Sequence, residues 1–183
     1  VDNFIFSLEK SGYETMKYLP NQNWKPGDPI YYSGPYWDNR EVTAAITTLL
    51  GGQWLPAGEN VNKFERAFSK KFDFKHSVMV NSGSSANLVM IAALKKYFDW
   101  HDGDEIIVCA CGFPTTINPI IQNGLKPVFV DIDMEDLNWS LEQLENKLTP
   151  KTVACFSSPV LGNPYDFDKF FEILDRNRLH YIA

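Results

Sequence analysis

The sequence predicts an α/β protein with a mostly parallel sheet and helices on both faces. Two observations carry this expectation. From Ser77 onward, short apolar runs alternate strictly with stretches of helical period, which is the pattern of successive β-α-β units. The apolar runs are also nearly continuous, as in Glu105–Ala110 and Val153–Phe156, and that is how strands covered on both faces read. A length of 183 residues suffices for one substantial core or for most of one larger domain.

Residues 1–26 are weakly patterned, with Pro20 and Asn21-Gln22-Asn23 marking a loop, and read as an N-terminal extension. Residues 27–183 form the domain. It opens on Gly27-Asp28-Pro29 and an aromatic extended stretch from Ile30 to Trp37. Val42, Ala45, Ile46 and Leu49 fall at i, i+3, i+4, i+7 and predict a helix that Gly51-Gly52 stops. A second helix starts near Asn60, with Val61, Phe64 and Phe68 on one face. Ser77–Val80 is expected as a short strand, followed by a helix that buries Leu88, Ile91, Leu94 and Phe98 and ends near Asp102-Gly103. Glu105–Ala110 is the next strand, and a short helix over Thr116–Gln122 ends at Asn123-Gly124. Pro127–Val130 is a strand, and Ser140 with Gln143 has the spacing of a capping box before Leu144 and Leu148. Val153–Phe156 is a further strand, and Phe167, Phe170, Phe171 and Leu174 form a helical stripe. Leu179–Ala183 reads as a strand that begins without a turn after it, so the domain is expected to be incomplete at its C-terminus.

Charge narrows the partners. Lys plus Arg is 17 against 23 Asp plus Glu, a net charge of −6, and no basic run exceeds two residues. A nucleic-acid surface or a polybasic membrane patch would need a clustered basic face. No apolar run reaches the roughly 20 residues that cross a bilayer, and Val1-Asp2-Asn3-Phe4 does not open a signal peptide. Cys109, Cys111 and Cys155 sit in or beside apolar runs, which predicts reduced, buried, structural thiols and a cytoplasmic protein.

Three segments after predicted strands have the chemistry of a binding site. Asn81-Ser82-Gly83-Ser84-Ser85-Ala86-Asn87 joins a strand to a helix start. Free amides and the positive helix end make such a turn a phosphate cradle. Gly83 allows close approach, and Ser84 and Ser85 add hydroxyl donors. The same residues also suit a plain N-cap turn. The segment has neither the Gly-Lys-Ser/Thr of a P-loop nor the three glycines of a dinucleotide fingerprint. In Cys111-Gly112-Phe113-Pro114-Thr115-Thr116, Phe113 is placed to stack on a planar ring or to serve as core. In Ser157–Pro164, Asn163 could bond a ligand oxygen, although Gly-Asn-Pro is also a common turn. Cys109 and Cys111 form a C-x-C pair without further ligands, so no metal site is predicted. His76, His101 and His180 read as surface or packing residues.

These segments, in this order, resemble the DegT/DnrJ/EryC/StrS sugar aminotransferase and dehydratase family of fold-type-I pyridoxal-phosphate enzymes. The likeness rests on Val80–Leu88, Gly112–Gly124, Pro127–Asp131 and Leu161–Pro164, and it runs from about Gly27 to Ala183. Within the family, Gly-Phe-Pro-Thr-Thr and Leu-Gly-Asn-Pro are most similar to the CDP-4-keto-6-deoxyglucose 3-dehydratases of O-antigen deoxysugar synthesis. The resemblance implies a three-layer large domain of the pyridoxal-phosphate transferase type. It also implies pyridoxal or pyridoxamine 5′-phosphate as cofactor, a nucleotide-linked 4-keto-6-deoxy sugar as substrate, and loss of the 3-hydroxyl as reaction. By the same resemblance Gly83, Ser84 and Ser85 hold the cofactor phosphate, Phe113 lies against the ring and Asn163 sits near its phenolic oxygen. A homodimer whose second copy completes the site is implied as well. The acidic partner of the ring nitrogen, and the Lys or His that separates aminotransferase from dehydratase, are expected beyond Ala183. The three cysteines do not match the positions that hold an iron–sulfur cluster in one dehydratase type. A sugar aminotransferase is the nearest alternative, and a non-catalytic fragment or assembly partner is the alternative of another class.

Overall fold

A computed structural model describes residues 25–29, 39–51, 58–159 and 162–183. The aromatic stretch 30–37 and the first 24 residues of the expected extension lie outside the described residues. The chain divides into two compact units, Val1–Ser77 and Val78–Ala183.

The first unit carries two helices, α1 (Asn39–Leu50) and α2 (Glu59–Lys71), both where the apolar spacing predicts them. Thr48 at the end of α1 accepts a hydrogen bond from the Asn60 amide at 2.8 Å. Glu59 in the first turn of α2 and Lys70 and Lys71 in its last complement the helix dipole. Phe68 has ring contacts with Phe64 at 5.7 Å and Phe72 at 4.6 Å, so the predicted face holds together as an aromatic cluster.

The second unit is built on a parallel sheet. Its elements are α3 (Gly83–Tyr97), β1 (Glu105–Cys109), α4 (Pro114–Gln122), β2 (Lys126–Val130), α5 (Leu141–Lys147), β3 (Thr152–Phe156), α6 (Phe167–Asn177) and β4 (His180–Ile182). The four strands lie in the order β2-β1-β3-β4, every pairing parallel. Successive residues of the central strands enter different cores. Ile106, Val108, Ala154 and Phe156 join Ile91 of α3 and Ile120 of α4. Ile107 and Cys155 join Leu144 of α5 and Phe170 of α6. Two helices thus cover each face, the three-layer arrangement that continuous apolar strands require.

Local chemistry sets the boundaries. Ser140 caps α5 by accepting from the Gln143 amide at 3.3 Å. The reciprocal half of the expected capping box is absent, because Gln143 Oε1 instead accepts from the Asp131 amide at 3.2 Å. Asp166 caps α6 through the Lys169 amide at 3.0 Å. Gly124 ends the α4 turn with φ +74°, a conformation that side-chain-bearing residues seldom adopt.

Residues 77–80 form no strand, since strand structure needs a neighbour to bond and the described sheet offers them none. In α3, Ile91 is buried and Leu94 partly so, but Leu88 and Phe98 stay exposed. Phe98 spends its face on His180, stacked at 3.8 Å, which makes His180 a packing residue as expected. The helix after β1 starts earlier than the spacing suggests, with Pro114 at its first position, where the missing amide costs nothing. The cysteines also divide: Cys155 is buried and its thiol is pushed up to about 12, Cys109 is half-buried, and Cys111 is exposed.

The lower end of the sheet is fixed by Glu105, whose side chain is 7% exposed and pairs with Lys126 at 2.9 Å. The Thr149 hydroxyl donates to its other oxygen at 2.6 Å. That bond first, and Lys126 second, hold the Glu105 carboxyl below its ordinary value of 4.5. A carboxylate with a lowered folded-state pKa stabilises above the unfolded value and loses that contribution as pH falls. Urea midpoints should therefore be flat above about pH 4.5 and decline below it, and Glu105→Gln should remove part of the decline. At neutral pH that substitution should cost about 1.5–3 kcal/mol, the range for a lost bond to a charged group. Phe170 is fully buried and meets Trp139, Tyr165 and Tyr181 edge-on. Phe170→Ala should cost about 3–5 kcal/mol, measured by the same titration.

Candidate active site

Because every strand pairing is parallel, all four strands finish at the same end of the sheet. A cavity of about 630 Å³ opens there. Cys109 closes β1, Phe156 closes β3 and Ala183 follows β4, and all three line it. The carboxyl ends of parallel strands are where α/β sheets gather ligands.

One wall is the start of α3. Ser82 is the N-cap, its hydroxyl accepting from the Ser85 amide at 3.1 Å. The cap role and the cradle role therefore fall on different serines. Ser82 satisfies the third amide of the helix, while helix geometry gives the Gly83 and Ser84 amides no carbonyl partner. Gly83 and Ser84 line the cavity, and Ser84 is exposed. A β-carbon on Gly83 would meet nothing within 4 Å, so the space before these amides is open. No acidic residue occupies the first turn of α3, leaving its positive end uncompensated. Ser85 is half-buried, with its hydroxyl 3.2 Å from that of Ser82, and it stands behind the wall rather than in it.

A second stretch of the lining runs from Cys111 through Phe113 into the first turn of α4 at Thr115 and Thr116. Phe113 lines the cavity and is 69% exposed, which rules out the reading of this ring as core. A hydrogen bond that spacing alone did not suggest ties the two walls. Pro119 lies inside α4 and has no amide to give the carbonyl four residues before it, that of Thr115. The Asn87 side chain, from the second turn of α3, donates to that carbonyl at 3.1 Å. Asn87 and Thr115 both line the cavity. The signal was present in the sequence: a proline within a predicted helix leaves a carbonyl that needs a donor.

The remaining boundary comes from β2 and β3. Trp139, 4% exposed, reaches the cavity from the loop after β2, and Ser158 and Pro159 reach it from the segment after β3. Asn163 does not line it. Its amide donates instead to the Asp136 carbonyl at 3.1 Å. Cys109 and Cys111, predicted as structural, both line the cavity, and burial raises the Cys109 thiol above its ordinary value. None of the described residues that line it is charged. The described lining residues include amide and hydroxyl donors at a helix start and an open aromatic ring, with no carboxylate, imidazole or amine side chain among them. It can bind and orient a flat anionic molecule.

These walls lie within residues 37–183, which match the model of the DegT/DnrJ/EryC1/StrS aminotransferase family. The chain is 43% identical over 141 residues to the GDP-4-keto-6-deoxy-D-mannose 3-dehydratase of Yersinia pseudotuberculosis, covering 76% of this chain and 36% of that protein. It is 37% identical over 158 residues to the dTDP-4-dehydro-2,6-dideoxy-D-glucose 3-dehydratase of Saccharopolyspora spinosa, covering 84% and 34%. Among solved structures it matches the Escherichia coli GDP-4-keto-6-deoxy-D-mannose 3-dehydratase with bound hydrated PLP, with TM-score 0.73 and 40% identity over 81% of this chain and 39% of that one. The chain thus spans a little over a third of the length of these relatives. The chain belongs to the DegT/DnrJ/EryC1/StrS aminotransferase family.

Proposed function

We propose that this chain is the cofactor-cradling part of a pyridoxal- or pyridoxamine-phosphate enzyme that removes the 3-hydroxyl of a nucleotide-linked 4-keto-6-deoxy sugar. The observation that carries the reading is that the open amides of Gly83 and Ser84 share one cavity with the exposed ring of Phe113. A phosphate fits the first and a planar ring fits the second. The dehydratase reading is favoured over amino transfer because the similar proteins, at 43% and 37% identity, are named as 3-dehydratases. By family likeness the enzyme works in the cytoplasm as a homodimer.

The residues divide the work. Gly83 and Ser84 anchor the phosphate, with Ser85 supporting the turn through Ser82. Phe113 flattens the ring against its own face and keeps water from one side. Asn87 holds the anchor and the ring wall at a fixed separation through Thr115. The chemistry that such a cofactor supplies when bound is an electron sink for the departing hydroxyl. The uncharged lining leaves proton transfer to groups outside the described cavity wall.

Two measurements test this in the full-length protein that contains this chain. Incubation with pyridoxamine phosphate and a nucleotide-linked 4-keto-6-deoxy sugar should yield, by mass spectrometry, a sugar lacking its 3-hydroxyl. An amino sugar formed with glutamate as donor would establish the aminotransferase instead. Equilibrium dialysis should show that Ser84→Ala weakens pyridoxamine phosphate binding about tenfold, the equivalent of one lost charge-assisted bond. Phe113→Ala should weaken it about threefold to tenfold, and Phe113→Tyr should restore it.

A further inference from the structure

The loop after β2 is tied more closely than its position requires. Ile132 and Trp139 form an antiparallel bridge, and the Asp133 amide donates to the Asn138 carbonyl at 2.7 Å. The Leu137 amide donates to the Asp133 carbonyl at 2.8 Å. Asn138, 1% exposed, points its amide not into this loop alone but across to the turn after β3, donating to the Asn163 carbonyl at 3.0 Å. Asn163 returns a bond, its side chain donating to the Asp136 carbonyl at 3.1 Å. Two asparagines 25 residues apart thus lock two loops together from both sides. The residue next to Asn138 is Trp139, which closes the cavity and rests edge-on against Phe170 at 5.8 Å.

We infer that Asn138 and Asn163 are positioning residues that hold the Trp139 indole as a wall of the cavity, and that Asn163 acts through this clamp rather than by touching the bound ring. The physical grounds are direct. A buried amide is costly to leave unpaired, so Asn138 keeps the Asn163 turn docked. The Asn163 side chain is in turn spent on Asp136, which carries the loop that ends at Trp139. That this wall serves a cofactor rests on the function proposed above, but the clamp itself does not.

The test uses the ligand-free full-length protein labelled with 5-fluorotryptophan, with the signals of Trp139 and Trp100 assigned by Trp139→Phe and Trp100→Phe. Trp100 belongs to the core on the other face and serves as the control for folding. Asn163→Ala should shift and broaden the Trp139 resonance and leave that of Trp100 in place. Asn138→Ala should produce the same displacement, and the double variant should add little, as expected of two halves of one clamp. Pyridoxamine phosphate affinity should fall roughly threefold to tenfold in Asn163→Ala. A Trp139 signal unmoved by Asn163→Ala overturns the inference. An affinity loss with that signal unmoved overturns it too, and places Asn163 on the ligand itself. If the unaltered protein takes no pyridoxamine phosphate while Trp139 still responds to Asn163→Ala, the cofactor reading fails and the clamp stands.

Discussion

Parallel pairing of β1 with both β2 and β3 is the constraint from which the site follows. A parallel strand cannot return by a hairpin, so each connection must cross the sheet and each strand must end on the same side. The ends of β1 and β3, the loop after β2 and the residue after β4 therefore meet around one volume, although Cys109 and Ala183 are 74 residues apart in sequence. The opposite end of the sheet has a different character. There Lys126 and Thr149 both pair with the buried Glu105 carboxylate, an arrangement that stabilises this end of the sheet.

Around that volume the exposed polar groups are largely backbone amides and hydroxyls. The donors that face the cavity are helix-start amides and hydroxyls, and the cores behind them are apolar. Positions are then set by a few side-chain amides. Asn87 repairs a carbonyl that Pro119 cannot serve, and Asn138 and Asn163 join two loops that no strand pairing connects. Each of these asparagines gives up a donor to fix a backbone segment. Rigid walls matter because a binding site misplaced by even an ångström loses much of its advantage.

The layer structure was legible because it follows from composition along the chain. Continuous apolar runs at Glu105–Ala110 and Val153–Phe156 need two covered faces, and Phe170 and Leu174 of the α6 stripe, without the exposed Phe171, supply half of one cover. The errors arose where pairing or partner choice decided the outcome. Residues 77–80 have strand-like composition but no strand to bond, and Gln143 has capping-box spacing but a nearer amide in Asp131. Cys109 and Cys111 sit in or beside an apolar run, as structural thiols do, yet Cys109 ends its strand at the cavity and Cys111 follows it there.

The order of the helices, the helix start at Ser82–Ser85, the aromatic at Phe113 and the family were legible from residues alone, because caps, periods and local motifs act within a few residues. It took the fold to place Gly83 and Ser84 on the cavity with Ser85 off it, to bring Trp139 to its edge, and to turn the Asn163 amide to Asp136. The physical reason is that the direction of a hydrogen bond depends on which backbone arrives opposite. That arrival is set by contacts between segments distant in the chain, about which local spacing carries no information.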